Sequence, residues 1–218
     1  MQQSPIDVIA TEAATEAGRR LSTHTVVDWL NFIRELISSK LNENPVQLGG
    51  QKPDGSWGTV QIDEMNLRKT KPHVGAVYRP PVWVFGGVEE GTSKMFAQIV
   101  DDRTIPTLDV LIGRHILPGT HIVSDGFASY TNLAQRFNGV YTHDVVNHSI
   151  GFVNDDGFNT NMIEGTWSHL RAPFRRMRGT SRDLLQGHLD AFVWRRNHAD
   201  SLLGHLVMVI RFFYPVLQ

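Results

Sequence analysis

The sequence predicts a mixed α/β domain in which one sheet is covered by helices. Between residues 59 and 100, β-forming segments recur at short spacing (TVQIDEM, VWVFGGV, KMFAQIV) with turn formers between them, the pattern of an antiparallel meander. Beyond residue 104, short apolar strands alternate with amphipathic helices, the pattern of a sheet with helical cover. The 218 residues are 41% hydrophobic and 20% charged, enough apolar material to bury a core and too much for wholesale disorder.

In chain order, residues 1–21 read as a disordered, weakly acidic lead-in. Asp7, Glu12 and Glu16 interrupt it, and it lacks the apolar run of a secretory leader, so secretion is not expected. Residues 22–44 read as a helical segment, with Val26, Leu30, Ile33 and Ile37 on one stripe and Ser22 or Thr23 as cap. Residues 45–58, rich in glycine and turn formers, read as a linker. The main domain is placed at 59–200. Its strands are TVQIDEM, HVGAVY, VWVFGGV and KMFAQIV, then GTHIVSD and VYTHDVVNH; its earlier helices are TIPTLDVLIGRHI and FASYTNLAQRF. A helix from about Thr160 carries Met162, Ile163, Trp167 and Leu170 on one face, and Pro173 is expected to bend or end it. RDLLQGHLDAFVWRRNHA follows as another amphipathic helix. Residues 201–218 form an apolar C-terminal segment. Its run LLGHLVMVIRFFYPVL has 16 residues with His205 and Arg211 inside. A membrane span needs about 20 apolar residues, so this segment reads as a packing or self-association surface, not an anchor.

The absence of cysteine removes disulfides, thiolate zinc sites and cysteine nucleophiles. Ten histidines are present, but no close pair comes with an obvious third ligand. A net charge of −1 gives no global attraction to nucleic acid, so a DNA partner must be met by a local patch. Arg171, Arg175, Arg176 and Arg178 form such a patch, and Lys69 and Lys71 a smaller one. The guanidinium fork suits phosphate; a solvated helix face paired with nearby acids is the alternative reading.

Three carboxylates stand out. Asp63 lies inside an apolar strand, where a carboxylate is costly unless paired or bound to a cation. Asp125 ends an apolar strand just before Gly126, the end at which α/β sheets gather ligands. Glu164 adjoins Ile163 on the apolar-faced helix. Taken singly, Asp125 and Glu164 read as caps or solvated residues. Taken together, the three are hard oxygen donors suited to Mg²⁺ or Mn²⁺ and not to zinc. Two such ions support phosphodiester displacement.

The words VQIDE, VWVFGGVE, VDDRT, LPGTHIVSDGFASY, VVNHSIGFV and NTNMIEGTWSHLR occur in this order. Together, from about Val60 to Arg196, they resemble the DDE transposases of the ISXO type in bacteria and the related Merlin DNA transposons of eukaryotes. The resemblance implies an RNase H-like core preceded by an N-terminal helix. It places the catalytic, metal-holding triad on Asp63, Asp125 and Glu164, with two Mg²⁺ or Mn²⁺ ions as the expected cofactor. Asn161 stands as a further ligand or orienting amide, Arg171 near DNA phosphates, and Asn147 and His148 as supporting residues. Implied partners are DNA, as transposon ends and target, and further copies of the chain, with no membrane. The expected compartment is the nucleus in a eukaryote, or the cytoplasm and nucleoid in a bacterium. Relatives often carry a zinc ribbon ahead of this core. A chain without cysteine has none of that kind, and the helix at 22–44 resembles the tail of that region. The implied activity is cutting of transposon ends and transfer of the 3′-hydroxyl to target DNA. A catalytically idle DNA- or protein-binding module and an RNase H-like nuclease are the alternatives.

Overall fold

The computed structural model describes residues 5–12, 18, 21–67, 80–92, 94–146, 157–177 and 180–215. The strand expected at HVGAVY lies outside them.

Five strands form the sheet: β2 (Thr59–Asn66), β3 (Trp83–Glu89), β4 (Met95–Val100), β6 (His121–Asp125) and β7 (Thr142–Val146). Their spatial order is β4-β3-β2-β6-β7. β3 runs antiparallel to both neighbours, while β2, β6 and β7 are mutually parallel. The meander supplies one half of the sheet and the alternating part of the chain the other. This is the RNase H-like arrangement.

Alternation along β2 decides what each face receives. Val60 and Ile62 pack into one core with Phe85, Leu108, Ile112, Ile122 and Tyr130. Met65, on the opposite face, joins Val84, Val88, Ile163, Trp167, Leu170, Leu189 and Val193. Three helical elements cover the first face: α3 (Ile105–His115), a 3₁₀ turn (Ala128–Tyr130) and α4 (Leu133–Arg136). Pro106 opens α3, where its missing N–H costs nothing. The single helix expected over FASYTNLAQRF is divided in two, because Asn132 adopts a left-handed φ of 55° between the pieces.

The second face is covered by α5 (Asn161–Arg176) and α6 (Arg182–Asn197). Pro173 lies within α5 and the helix continues to Arg176, with the Met177 N–H closing on the Pro173 carbonyl at 3.1 Å. A further layer lies on α6: α2 (Thr23–Glu43) and α7 (Leu202–Phe213), packed through Leu36, Ile37, Trp194 and Val209. Ser22 caps α2, its Oγ accepting the Thr25 N–H at 3.0 Å.

Two sequence expectations need correction. Residues 5–12 of the supposedly disordered lead-in form α1 (Pro5–Glu12). Ala10 is fully buried and its carbonyl accepts the Leu21 N–H, so tertiary contact orders a segment too short to be helical alone. Residues 45–58 are no linker. β1 (Leu48–Gly49) pairs in parallel with β5 (Ile116–Leu117), Leu48 is fully buried, and the Gly50 N–H donates to Thr120 Oγ1 at 2.8 Å. A two-residue strand shows no alternation, and its partner is remote in sequence.

Candidate active site

The site grows from one register. Thr59, Val60 and Gln61 pair with His121, Ile122 and Val123. The same offset carried two residues further sets Asp63 level with Asp125 on the neighbouring parallel strand. Both lie on the face of Gln61, the face covered by α5. Glu164 sits in the first turn of α5.

Each carboxylate is held by a local donor. Asp63 Oδ2 accepts the Trp167 Nε1–H at 2.9 Å, and Oδ1 accepts the Glu64 N–H at 2.7 Å. Asp125 Oδ1 accepts the Phe127 N–H at 3.0 Å across the turn that follows β6. Glu164 Oε1 accepts from Thr160 Oγ1 at 3.0 Å, one turn back along α5.

Burial pushes the Asp63 carboxyl up to about 6, against the pull of the Trp167 bond; the negative charges of Asp125 and then Glu164 raise it further. All three acids therefore share one electrostatic field. They do not close into a chelate: among the described residues, no three histidine, aspartate or glutamate side chains stand close enough to hold one metal ion.

Sequence reasoning missed the parts that seat α5 on the sheet. Gln61 is 2% exposed, and its Oε1 accepts the Ile163 N–H at 3.1 Å, capping the helix from the neighbouring strand. Its Nε2 donates to Glu90 Oε1 at 2.7 Å, which fixes the amide's orientation. Gly86 pairs with Asp63 across β2 and β3. A Cβ there would stand 2.5 Å from Trp167 Cη2 and 2.6 Å from the Phe96 carbonyl oxygen. The glycine leaves room for the indole against the strand, where it reaches Asp63. Gln61 between Val60 and Ile62, and the glycine pair of VWVFGGVE, were the available signals.

Trp167 is thus a core residue and a hydrogen-bond donor. At 3% exposure it offers no ring face on which a base could stack. Glu64 points to the other face, where Tyr130 Oη donates to its Oε1 at 2.5 Å. Burial pushes Glu64 up to about 7, with the Tyr130 bond opposing and the charges of Asp63 and Asp125 adding.

The outer stripe of α5 reads Asn161, Glu164, Ser168, Arg171 and Arg175 at steps of three and four, so all five share one side. Asn161, Glu164, Ser168 and Arg175 are exposed and Arg171 is half-buried. At the helical rise, Arg171 and Arg175 lie roughly 10 and 16 Å along the axis from Glu164. Lys69, Lys71, Asn147, His148, Arg178 and the side chain of Arg176 lie outside the described residues.

Two aspartates level on neighbouring parallel strands, and a glutamate in the first turn of the helix that covers them, thus gather three acids at one end of the sheet. The chain belongs to the ISXO2-like transposase domain family, whose model matches residues 49–197. The match begins inside β1, ten residues ahead of the boundary placed at 59 from sequence. Membership makes it a DNA transposase-type protein. No curated protein matches the chain. Among solved structures it is similar to the catalytic core domain of BIV integrase, at 16% identity and a TM-score of 0.43, covering 72% of this chain and 97% of that one. It is also similar to a simian T-cell lymphotropic virus intasome chain, at 17% identity and a TM-score of 0.43, covering 89% and 69%. The HTLV-2 integrase catalytic core domain in complex with magnesium is similar at 14% identity and a TM-score of 0.38, covering 63% and 82%. No helix among the described residues is long and apolar enough to cross a membrane.

Proposed function

We propose that Asp63, Asp125 and Glu164 are the acid set of a DNA strand-transfer site that works with Mg²⁺ or Mn²⁺. The observation that carries this reading is the shared register and field of the three: Asp63 level with Asp125, and Glu164 in the first turn of the helix above them.

The donor set fits a hard divalent cation. Every donor is a carboxylate oxygen, and positive charge would offset both the burial and the mutual repulsion that raise Asp63. Asp63, Asp125 and Glu164 would hold the ions, with Asn161 as an added ligand or orienting amide. When bound, paired cations activate a water or a 3′-hydroxyl and stabilise the leaving oxygen.

The chain's own residues then have distinct tasks. Trp167 and the Glu64 amide fix the Asp63 carboxylate from both sides, the Phe127 amide fixes Asp125, and Thr160 restrains Glu164. Gln61 holds the start of α5 at the height of the two aspartates. Arg171 and Arg175 run away from Glu164 along one side and supply charge for the DNA backbone.

The test is Mg²⁺-dependent cleavage of a duplex carrying a candidate element end, followed by strand transfer from a pre-cleaved end. Cleavage and joining that both vanish in Asp63→Ala support transposition chemistry. Hydrolysis without joining selects a nuclease on the same acids. DNA binding with no metal-dependent reaction, unchanged in Asp125→Asn, selects an idle binding module.

A further inference from the structure

Arg103 follows β4 and lies at the same sheet edge as the acids, but it was not among the cations singled out from the sequence. Its guanidinium carbon is 3.7 Å from the centroid of the Trp83 ring and 4.6 Å from that of Phe127. Trp83 opens β3 opposite Asn66, three residues beyond Asp63 on β2. Phe127 is the residue whose amide orients Asp125. The backbone at Arg103 is tied down as well, its carbonyl accepting from Ser129 Oγ at 2.6 Å. Both the base of the side chain and its tip are therefore fixed.

Among the described residues, the tip makes no hydrogen bond. Its five N–H groups donate to no acceptor there, and no ion pair within 4 Å forms; the charge that acts on it is that of Glu64. That carboxylate is engaged by Tyr130, whose Oη donates to Glu64 Oε1. A half-buried guanidinium packed on two rings has its faces occupied and its edges unspent. Those edges present parallel N–H donors that match the oxygens of a phosphodiester. Ring packing also removes much of the rotamer entropy that an arginine otherwise loses on binding.

We propose that Arg103 is a phosphodiester-binding residue that grips the DNA backbone beside Asp125. The inference rests on the DNA strand-transfer reading above and adds a contact at Trp83 and Phe127, which pack against the core on the sheet face away from α5.

The test uses the full chain, a fluorescent duplex and EDTA, with affinity measured by anisotropy over a range of NaCl concentrations. Each phosphate contact contributes about 0.9 to the slope of log affinity against log salt. Arg103→Ala should lower that slope by about this amount, and weaken binding roughly tenfold, on duplexes of unrelated sequence. Arg103→Lys keeps the charge without the fork, so it should retain the slope and still lose affinity. Arg211→Ala, on α7, removes the same charge elsewhere and should leave the slope unchanged. Thermal melts of Arg103→Ala and Arg103→Lys separate lost binding from lost folding. An unchanged slope in a folded Arg103→Ala overturns the inference alone. A loss confined to duplexes with guanine at one position overturns it in favour of base readout, since guanine offers the same fork an equivalent pair of acceptors. A wild-type chain with no salt-dependent DNA binding removes the strand-transfer reading, and this inference with it.

Discussion

At the carboxylate edge of the sheet, charge is buried and met by donors: Asp63 by Trp167 and an amide, Asp125 by an amide, Glu64 by Tyr130. On the outer helical layer the reverse holds. Leu203 is 74% exposed, Met208 66%, Trp29 59% and Tyr214 56%. Leu203, Val207, Ile210 and Tyr214 recur at steps of four, three and four, the spacing of a helix-pairing seam. One region spends fold stability to hold ionisable groups in place; the other leaves apolar surface that a partner can bury. The first is expected to respond to single-atom changes, to pH and to metal. The second is expected to respond to protein concentration.

The largest effect on stability should come from removing the indole that joins the sheet to α5. Trp167→Ala deletes a 3%-exposed side chain and should cost about 3–5 kcal/mol in chemical denaturation. Trp167→Phe keeps most of the packing but leaves the Asp63 carboxylate short of a donor, at a cost of about 1–3 kcal/mol. If Trp167→Phe melts like the wild type, the donor is not what steadies Asp63.

Asp63→Asn should move stability the other way. In the folded, metal-free chain this carboxyl is raised from 3.8 to about 6. Folding therefore favours its protonated form. That contribution is full below the unfolded value and is lost as pH rises through about 6. At pH 8 the asparagine variant should be more stable than the wild type by about 1–3 kcal/mol, and at pH 4 the advantage should be gone. Comparing the two proteins at each pH isolates this group from the histidines. Mg²⁺ should erase the difference by stabilising only the wild type. An advantage for Asp63→Asn that persists at pH 4 would contradict the electrostatic account.

Gln61→Ala strips the Ile163 N–H and Glu90 of their partner, and about 1–2 kcal/mol is expected from two unmade bonds. A Gln61→Glu variant, which keeps an acceptor for the helix but sets a charge against Glu90, should be worse than wild type above neutral pH. The smallest stability effect belongs to the other region. Leu203→Ser with Val207→Ser should change the melting free energy by less than about 0.5 kcal/mol per site. It should nonetheless shift mass towards monomer in light scattering, if the seam joins two copies. An unchanged mass distribution from a self-associating wild type would place that contact elsewhere.

What the sequence disclosed, and what it withheld, follows the range of the interactions. The strands and helices around Asp63, Asp125 and Glu164 carry local periodicity, and the resemblance placed the acids on them. That Asp63 and Asp125 stand level is a register fact between distant strands, which no local pattern contains. Gln61 as a cap, Gly86 as clearance for Trp167, and Arg103 across Trp83 and Phe127 each join residues remote in sequence. β1 was hidden for the same reason: two residues show no alternation, and their pairing with β5 decides their role. Pro173, a strong local signal, lies inside α5, which runs three residues past it and stops at Arg176.

The claim on which the account turns is that three acids from β2, β6 and α5 act as one set. The direct measurement is Mg²⁺-dependent cleavage of a duplex element end by the wild type, Asp63→Asn, Asp125→Asn and Glu164→Gln, with folding of each checked by circular dichroism. The account predicts that each folded variant loses at least about a thousandfold in rate, and that the double variants lose no more than the singles, as groups acting as a unit do. A folded Glu164→Gln that cuts at the wild-type rate, while either aspartate variant is dead, would contradict it.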